Sequence, residues 1–331
     1  MRTRQSLYAL ATLAMTAAVL VACGEAGSSG TQAPDEEVTG AGCAPIAGEQ
    51  LVVLEDDRHL QNVENIIPAI NAEAATPPLI EALNTVSAAL DTETLIELNA
   101  TVDIDRTPAQ TAAWEFAEAR GLGDGLSGGS GTVTIGAADF SESQTLGFLY
   151  EYVLDAAGFD ASVRSIGNRE LYEPALESGE IQVVPEYVGT LTEFLNQRAN
   201  GEDAEPLASP DLDETLAALT ELGQRFGLVF GEPSEAANQN AFAVTEAFAQ
   251  EHNVSTLSEF AEVCSGAATI LGGPAECPRR PFCQPGLEET YGIEFGRFAQ
   301  LDAGGPLTKT ALRTGEITIG LVFSTDADLA A

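Results

Sequence analysis

Two aromatic residues hold matched places in this chain: Tyr187 and Phe323 each lie six residues beyond the isoleucine of a recurring motif. The motif is Ala175-Leu-Glu-Ser-Gly-Glu-Ile181, which returns as Ala311-Leu-Arg-Thr-Gly-Glu-Ile317. The same offset of 136 residues pairs Thr134-Ile-Gly136 with Ile270-Leu-Gly272, and Phe159 with Phe295. An aromatic closing the last strand of each copy offers binding chemistry, not bond breaking. Covalent chemistry has little to work with: there is no cysteine–histidine pairing, and the histidines are His59 and His252 alone. An acid–base carboxylate pair is the enzymatic alternative, because 51 acidic residues bring chance pairs. Recovery of a ligand unchanged separates a receptor from such a hydrolase.

The elements that must position these aromatics follow from the patterning. Each copy reads as strand, helix, strand, helix, strand, so two α/β lobes facing across a cleft are expected, the architecture of a small-molecule clamp. Ahead of the first copy come strands at 51–54 and 66–70. Then a helix opens at Thr76-Pro77 with Ile80, Leu83, Val86 and Leu90 on one face. A later helix starts near Thr107-Pro108, carries Trp114 and Phe116, and stops at Gly121. Residues 123–131, Gly/Ser-rich, read as a flexible linker. Within the first copy, Ser141-Glu-Ser-Gln144 has the form of a capping box opening a helix to about residue 157. A strand at 181–184 leads into Pro185-Glu-Tyr-Val-Gly-Thr190, and a strand at 240–245 enters the second lobe.

Composition bounds the rest. Residues 1–22 have a basic start (Arg2, Arg4), an apolar run and then Leu20-Val-Ala-Cys23, the pattern of a bacterial lipoprotein signal cleaved before a lipid-modified Cys23. Residues 23–47 read as a tether, and no later segment is long and apolar enough to span a bilayer. With 51 acidic against 14 basic residues the net charge is −37, which excludes a phosphate-neutralising nucleic-acid surface. It suits solubility in high salt and steers a cation if the ligand is one. Cys43, Cys264, Cys277 and Cys283 permit three disulfide connectivities. The short loop from Cys277 to Cys283 favours that pair, leaving Cys43 with Cys264. Zinc is the competing use of four cysteines, but there is no CxxC and neither histidine has ligand spacing. No metal and no cofactor is expected.

Thr134-Ile-Gly-Ala-Ala-Asp-Phe140 with Ser141-Glu142, then Glu180 to Thr190, Leu301-Asp-Ala-Gly-Gly-Pro-Leu307 and Phe323-Ser-Thr-Asp326 together resemble the substrate-binding proteins of ABC importers for osmoprotectants. These are the glycine betaine, choline and proline betaine family. Leu51-Val-Val-Leu-Glu-Asp-Asp57 and Asn65-Ile-Ile-Pro68 resemble it too, but they belong last in the family and come first here. The chain therefore resembles a circular permutant, rejoined through 123–131, with the tail after residue 331 missing; a gene-assembly artefact would give the same order. The resemblance implies an α/β, two-lobed, periplasmic-binding-protein-like clamp of type II. Residues 48–63 with 240–331 would form one lobe and 64–122 with 132–239 the other, hinged near 65–70 and 240–245.

The resemblance also implies the ligand chemistry. A quaternary ammonium has no hydrogen-bond donor, so aromatic faces hold it by cation–π attraction, of order 1–2 kcal/mol each when desolvated. Tyr187 matches the family's cage tyrosine, Phe323 keeps a π face where tyrosine is common, and Phe140 is a third candidate. Other cage positions fall on Asn240 and Gln284, which makes the site more polar and admits ligands with hydroxyl or amide groups. Asp139, Ser141, Thr190, Thr325 and Asp326 sit where strands end and helices begin, within reach of a ligand. Helix N-termini there suit an anionic group such as a betaine carboxylate, and Arg279 or Arg280 is placed to pair with it. The partners implied are an ABC permease, its ATPase and, through the lipid, the membrane. A sensor lobe that reports a solute without transport is the alternative within binding proteins.

Overall fold

The computed structural model describes residues 38–329; the signal segment, Cys23 and most of the tether lie outside them. The chain opens with β1 (Leu51–Leu54), β2 (Ile66–Asn71), α1 (Pro77–Ala89), α2 (Thr92–Asp103) and α3 (Ala109–Arg120). Next come β3 (Thr132–Ala137), α4 (Ser141–Ala157), β4 (Asp160–Ser165), α5 (Arg169–Glu177) and β5 (Val183–Tyr187). Then follow α6 (Val188–Asn200), α7 (Leu212–Phe226), β6 (Leu228–Phe230) and β7 (Asn240–Thr245). After them lie α8 (Glu246–His252), α9 (Leu257–Cys264), β8 (Gly266–Gly273) and the single turn α10 (Gln284–Gly286). The last three are β9 (Phe295–Gln300), α11 (Pro306–Thr314) and β10 (Ile319–Phe323).

The strands form two five-stranded sheets, in the orders β4-β3-β5-β2-β6 and β9-β8-β10-β7-β1. The orders correspond strand for strand. The outer three are parallel, and an antiparallel strand (β2 or β7) lies beside β5 or β10 in each sheet. The repeat holds at the level of single bonds. Ile135 pairs with Val183 in one sheet, and their counterparts Leu271 and Ile319 pair in the other. Gln182 N donates to Thr134 O at 2.8 Å, and Thr318 N to Ile270 O at 2.9 Å. Gly179 and Gly315, at φ 74° and 71°, turn the chain out of the preceding helix, a conformation glycine adopts without strain. Gly136 and Gly272 make room for an isoleucine tip: a Cβ on Gly136 would lie 2.5 Å from Ile181 Cδ1, and one on Gly272 would run into Ile317 Cδ1.

Each sheet is the centre of its own lobe. Ile66, Ile70, Leu83, Leu146, Leu149 and Tyr150 build the helix-covered core of the first, while Phe242, Phe248, Phe260, Leu271 and Leu287 build the second. Each such side chain contributes roughly 1.5–3 kcal/mol on burial. Two antiparallel stretches cross between the lobes. Asn238 N donates to Glu64 O at 3.0 Å, Ile66 N to Ala236 O at 3.0 Å, and Asn65 bridges Ala237.

Four local expectations change. The capping box at Ser141 does not form, because Ser141 is already helical and its Oγ donates to Asp103 Oδ2 at 3.0 Å, while Glu142 turns inward. The buried face of α1 is Leu79, Ala82, Leu83 and Val86, with Ile80 at its margin. Residues 123–131 are anchored rather than loose: Gly129 N donates to Ala157 O at 2.9 Å, and a Cβ there would lie 2.5 Å from the Phe159 ring. In the second copy the first helix is broken into short turns around Cys277–Arg279, Gln284–Gly286 and Leu287–Tyr291. Pro278, Pro281 and Pro285 each remove a backbone donor there, so one long helix cannot form.

Candidate functional site

The three aromatics converge where the parallel strands end, the place at which α/β sheets receive ligands. Phe140 follows β3, Tyr187 ends β5, and Phe323 ends β10 of the opposite sheet. The Phe140 ring centroid lies 6.4 Å from that of Tyr187, near-parallel at 30°, and 5.5 Å from that of Phe323. The contact between Phe140 and Phe323 joins the two lobes.

At the floor of this cluster lies Glu142, 4% exposed. Its Oε1 accepts from the Tyr187 hydroxyl and from Asn238 Nδ2, both at 2.7 Å. Its Oε2 accepts from Asn99 Nδ2 at 2.6 Å and from Thr325 Oγ1 at 2.7 Å. Four donors fill the acceptor capacity of a carboxylate. Burial, and then the Glu142 carboxylate beside it, push the Tyr187 hydroxyl well above the usual tyrosine range, so it keeps its proton and donates. Asn99 also donates to Thr325 O at 3.3 Å, a second bond between the lobes. Glu142, Asn99 and Asn238 carry no sequence signal of this role, because the donors come from positions far apart in the chain.

Beneath Tyr187 a buried ion pair braces the end of β5. Arg169 holds Glu186 through Nε at 2.8 Å and Nη2 at 2.7 Å, and Glu186 also accepts from Tyr172 and from the backbone N of Tyr187. Burial alone would lower the Arg169 pKa; Glu186 more than offsets it, and the guanidinium stays charged. Thr190 faces this cluster, accepting from Arg169 at 2.9 Å and lying 3.4 Å from Glu64. Burial pushes the Glu64 carboxyl from the ordinary 4.5 to about 8.

The other residues singled out in the sequence are engaged elsewhere. Asp139 is bonded by Ser165, and Ser141 by Asp103. Asn240 donates to Phe282 O at 3.0 Å, and Gln284 to Glu288 at 2.7 Å. Asp326 pairs with Lys309 at 2.6 Å, and burial raises its carboxyl above the ordinary value. Arg280 grips Glu170 of the opposite lobe at 3.0 Å and lies 3.6 Å from Glu276, while Asn168 donates to Glu276 at 3.2 Å. Arg279 is exposed. The disulfides are Cys43–Cys264 and Cys277–Cys283. His252 Nδ1 lies 3.7 Å from Cys43 Sγ, but a sulfur bound to another sulfur offers no thiolate to a metal.

Two α/β lobes with aromatic rings from both meeting over a shared cleft define a binding clamp. The chain belongs to the family of substrate-binding domains of ABC-type glycine betaine transport systems, whose model matches residues 44–119 and 131–331. It is 28% identical over 213 residues to a glycine-betaine-binding protein of Pseudomonas aeruginosa, covering 60% of this chain and 63% of that one. It is 24% identical over 207 residues to the glycine betaine-binding protein YehZ of Escherichia coli, covering 60% and 66%. The chain thus spans about two thirds of the length of these relatives. A crystal structure of a glycine betaine/carnitine/choline ABC transporter aligns with a TM-score of 0.40 at 24% identity, covering 60% of this chain and 71% of that one. Among the described residues no helix is long and apolar enough to cross a membrane.

Proposed function

We propose that the chain is the extracytoplasmic receptor of an ABC importer, closing its lobes over a quaternary-ammonium osmoprotectant and delivering it to a permease driven by an ATPase. The observation that carries this reading is the placement of Phe140 between Tyr187 of its own lobe and Phe323 of the other. Aromatic faces contributed by both lobes give a cation a reason to favour closure. Two disulfides suit an oxidising compartment, and lipid attachment at Cys23 would hold the chain at the membrane's outer face. As in a transport substrate-binding family, the solute is expected to leave unchanged.

The lobes divide as 48–63 with 240–331, and 64–122 with 132–239, in an order that is a circular permutation of the family's. Supporting this, the family match falls in two blocks interrupted at 120–130, and each pairwise likeness stops at 60% of the chain. The strand-for-strand correspondence of the sheets places β1 beside β7 as β6 lies beside β2. Titration calorimetry of residues 24–331 with glycine betaine, choline, proline betaine and carnitine tests the function. Saturable binding to one, lost about ten- to hundredfold in Tyr187→Ala, supports it. A cooperatively melting chain that binds none overturns it. A variant with the segments returned to the family's order, binding the same solute with the same affinity, supports the permutation.

A further inference from the structure

We propose that Leu171 and Leu307 are a matched pair of docking anchors, one on each lobe, by which the closed clamp seats on a two-fold symmetric permease that offers each leucine an equal apolar socket. The proposal rests on the importer reading and names the surface through which the chain meets its membrane partner.

Three observations carry it. First, these are the most exposed large apolar side chains among the described residues, each at 62%. One exposed leucine is ordinary. Two at the same place in an internal repeat are not: Leu171 and Leu307 lie 136 residues apart, the offset of the repeat, in the first turns of α5 and α11. Second, the leucine recurs where its surroundings have diverged. Arg169, Glu170 and Glu173 correspond to Gly305, Pro306 and Lys309. Packing does not explain the recurrence, since both leucines face solvent. The two side chains after each leucine, Tyr172 with Glu173 and Thr308 with Lys309, are buried, so both helices are seated the same way round and turn the leucine outward. Third, both leucines border the cleft. Glu170, next to Leu171, pairs with Arg280 of the opposite lobe at 3.0 Å. Gly304, three residues before Leu307, packs under the cleft aromatic: a Cβ there would lie 2.9 Å from the Phe323 ring. Closing the lobes therefore fixes the spacing of the two leucines, and opening them changes it.

The partner follows from the pairing. Two like anchors fit two like sockets, and a two-fold assembly presents the same surface twice. The importer reading supplies that assembly as the permease. An apolar anchor also holds in salt that screens the charges of a chain carrying −37.

The test is uptake of radiolabelled solute by the cells that encode the chain, with its gene deleted or replaced by variants. The solute is whichever of glycine betaine, choline, proline betaine and carnitine the purified chain binds in calorimetry. Leu171→Ser and Leu307→Ser should each lower uptake about tenfold or more at limiting solute. The double variant should fall to the level of the deleted strain. Solute affinity of the purified variants should stay within about twofold of wild type, because the aromatic cluster is untouched. Val263→Ser, on α9 and 52% exposed, is the control for loss of an exposed apolar side chain and should transport as wild type. Full uptake by the double variant overturns the proposal, as does a loss confined to one of the two leucines. Weakened solute binding in the variants would assign the leucines to closure rather than docking, and overturns it too. So does a wild-type dimer in size-exclusion chromatography that the double variant lacks, since the leucines would then join copies of this chain. A wild-type chain that binds solute yet supports no uptake above the deleted strain overturns the importer reading itself, and this proposal with it.

Discussion

Thr325 reaches across the cleft to Glu142: its hydroxyl donates to Oε2 at 2.7 Å, joining the segment after β10 to the start of α4. A hydrogen bond to a charged group contributes roughly 1.5–3 kcal/mol, and this one exists only when the lobes are together. Thr325→Val preserves shape and removes the donor. The variant should melt within a few degrees of the wild type yet bind its solute about tenfold more weakly, because closure recovers less free energy. Unchanged affinity in calorimetry would show that closure does not depend on this bond.

Glu64 gives stability a pH slope. Burial raises its carboxyl from the ordinary 4.5 to about 8, so between those values the folded chain holds a proton that the unfolded chain has released. The contribution of Glu64 is then fully present below about pH 4.5 and is lost as pH rises towards 8, by at most roughly 1.4 kcal/mol per unit for one proton. Glu173, also raised to about 8 by burial, acts in the same direction. Glu64→Gln removes the first contribution. Denaturant melts at pH 5 and pH 8 should therefore converge in the variant more than in the wild type; parallel curves would exclude Glu64 as the source.

The matched glycines make a paired prediction. Gly136→Ala forces a methyl onto Ile181 Cδ1 and should destabilise by about 1–3 kcal/mol. Ile181→Val deletes that atom, so the double variant should lose less than the sum of the two single losses. Gly272→Ala with Ile317→Val should behave alike, since Ile317 Cδ1 occupies the same place in the other lobe. Strict additivity in both cycles would show that the two contacts do not matter.

The disulfides should differ in worth. Cys43 and Cys264 are separated by 221 residues and Cys277 and Cys283 by 6. On chain-entropy grounds, removing the first should cost about 5 kcal/mol and removing the second about 2 kcal/mol. The smaller loss carries a functional mark, because the Cys277–Cys283 loop presents Arg280 to Glu170 across the cleft. Replacing Cys277 and Cys283 by serine should lower solute affinity a few-fold, and the difference should shrink in high salt, where a partly exposed ion pair is screened. Calorimetry at two salt concentrations reads both effects.

Much of the architecture was legible because it repeats. The 136-residue offset located equivalent strands, and β1 and β7 have the bounds expected from their apolar runs. What stayed hidden depends on contacts between distant positions. Glu142 looked like part of a helix cap, since Ser-Glu-Ser-Gln fits that signature locally, and nothing nearby announces donors at positions 99, 187, 238 and 325. The glycines of 123–131 read as a flexible linker by composition, whereas Gly129 is where the Phe159 ring comes too close for a side chain. Composition reports what a segment permits; the neighbours decide what it does.

The order of the strands along the chain has a consequence for how the protein is made. The first sheet is assembled from one unbroken run, β2 to β6, nested inside the second, which needs β1 from before it and β7 to β10 from after it. During synthesis the nested half acquires all its strands while its neighbour still consists of β1 alone. That strand must wait for β7, and Cys43 must wait for Cys264, before either finds its partner. An interrupted translation product would thus hold one finished half and no closing jaw, folded but unable to retain a solute.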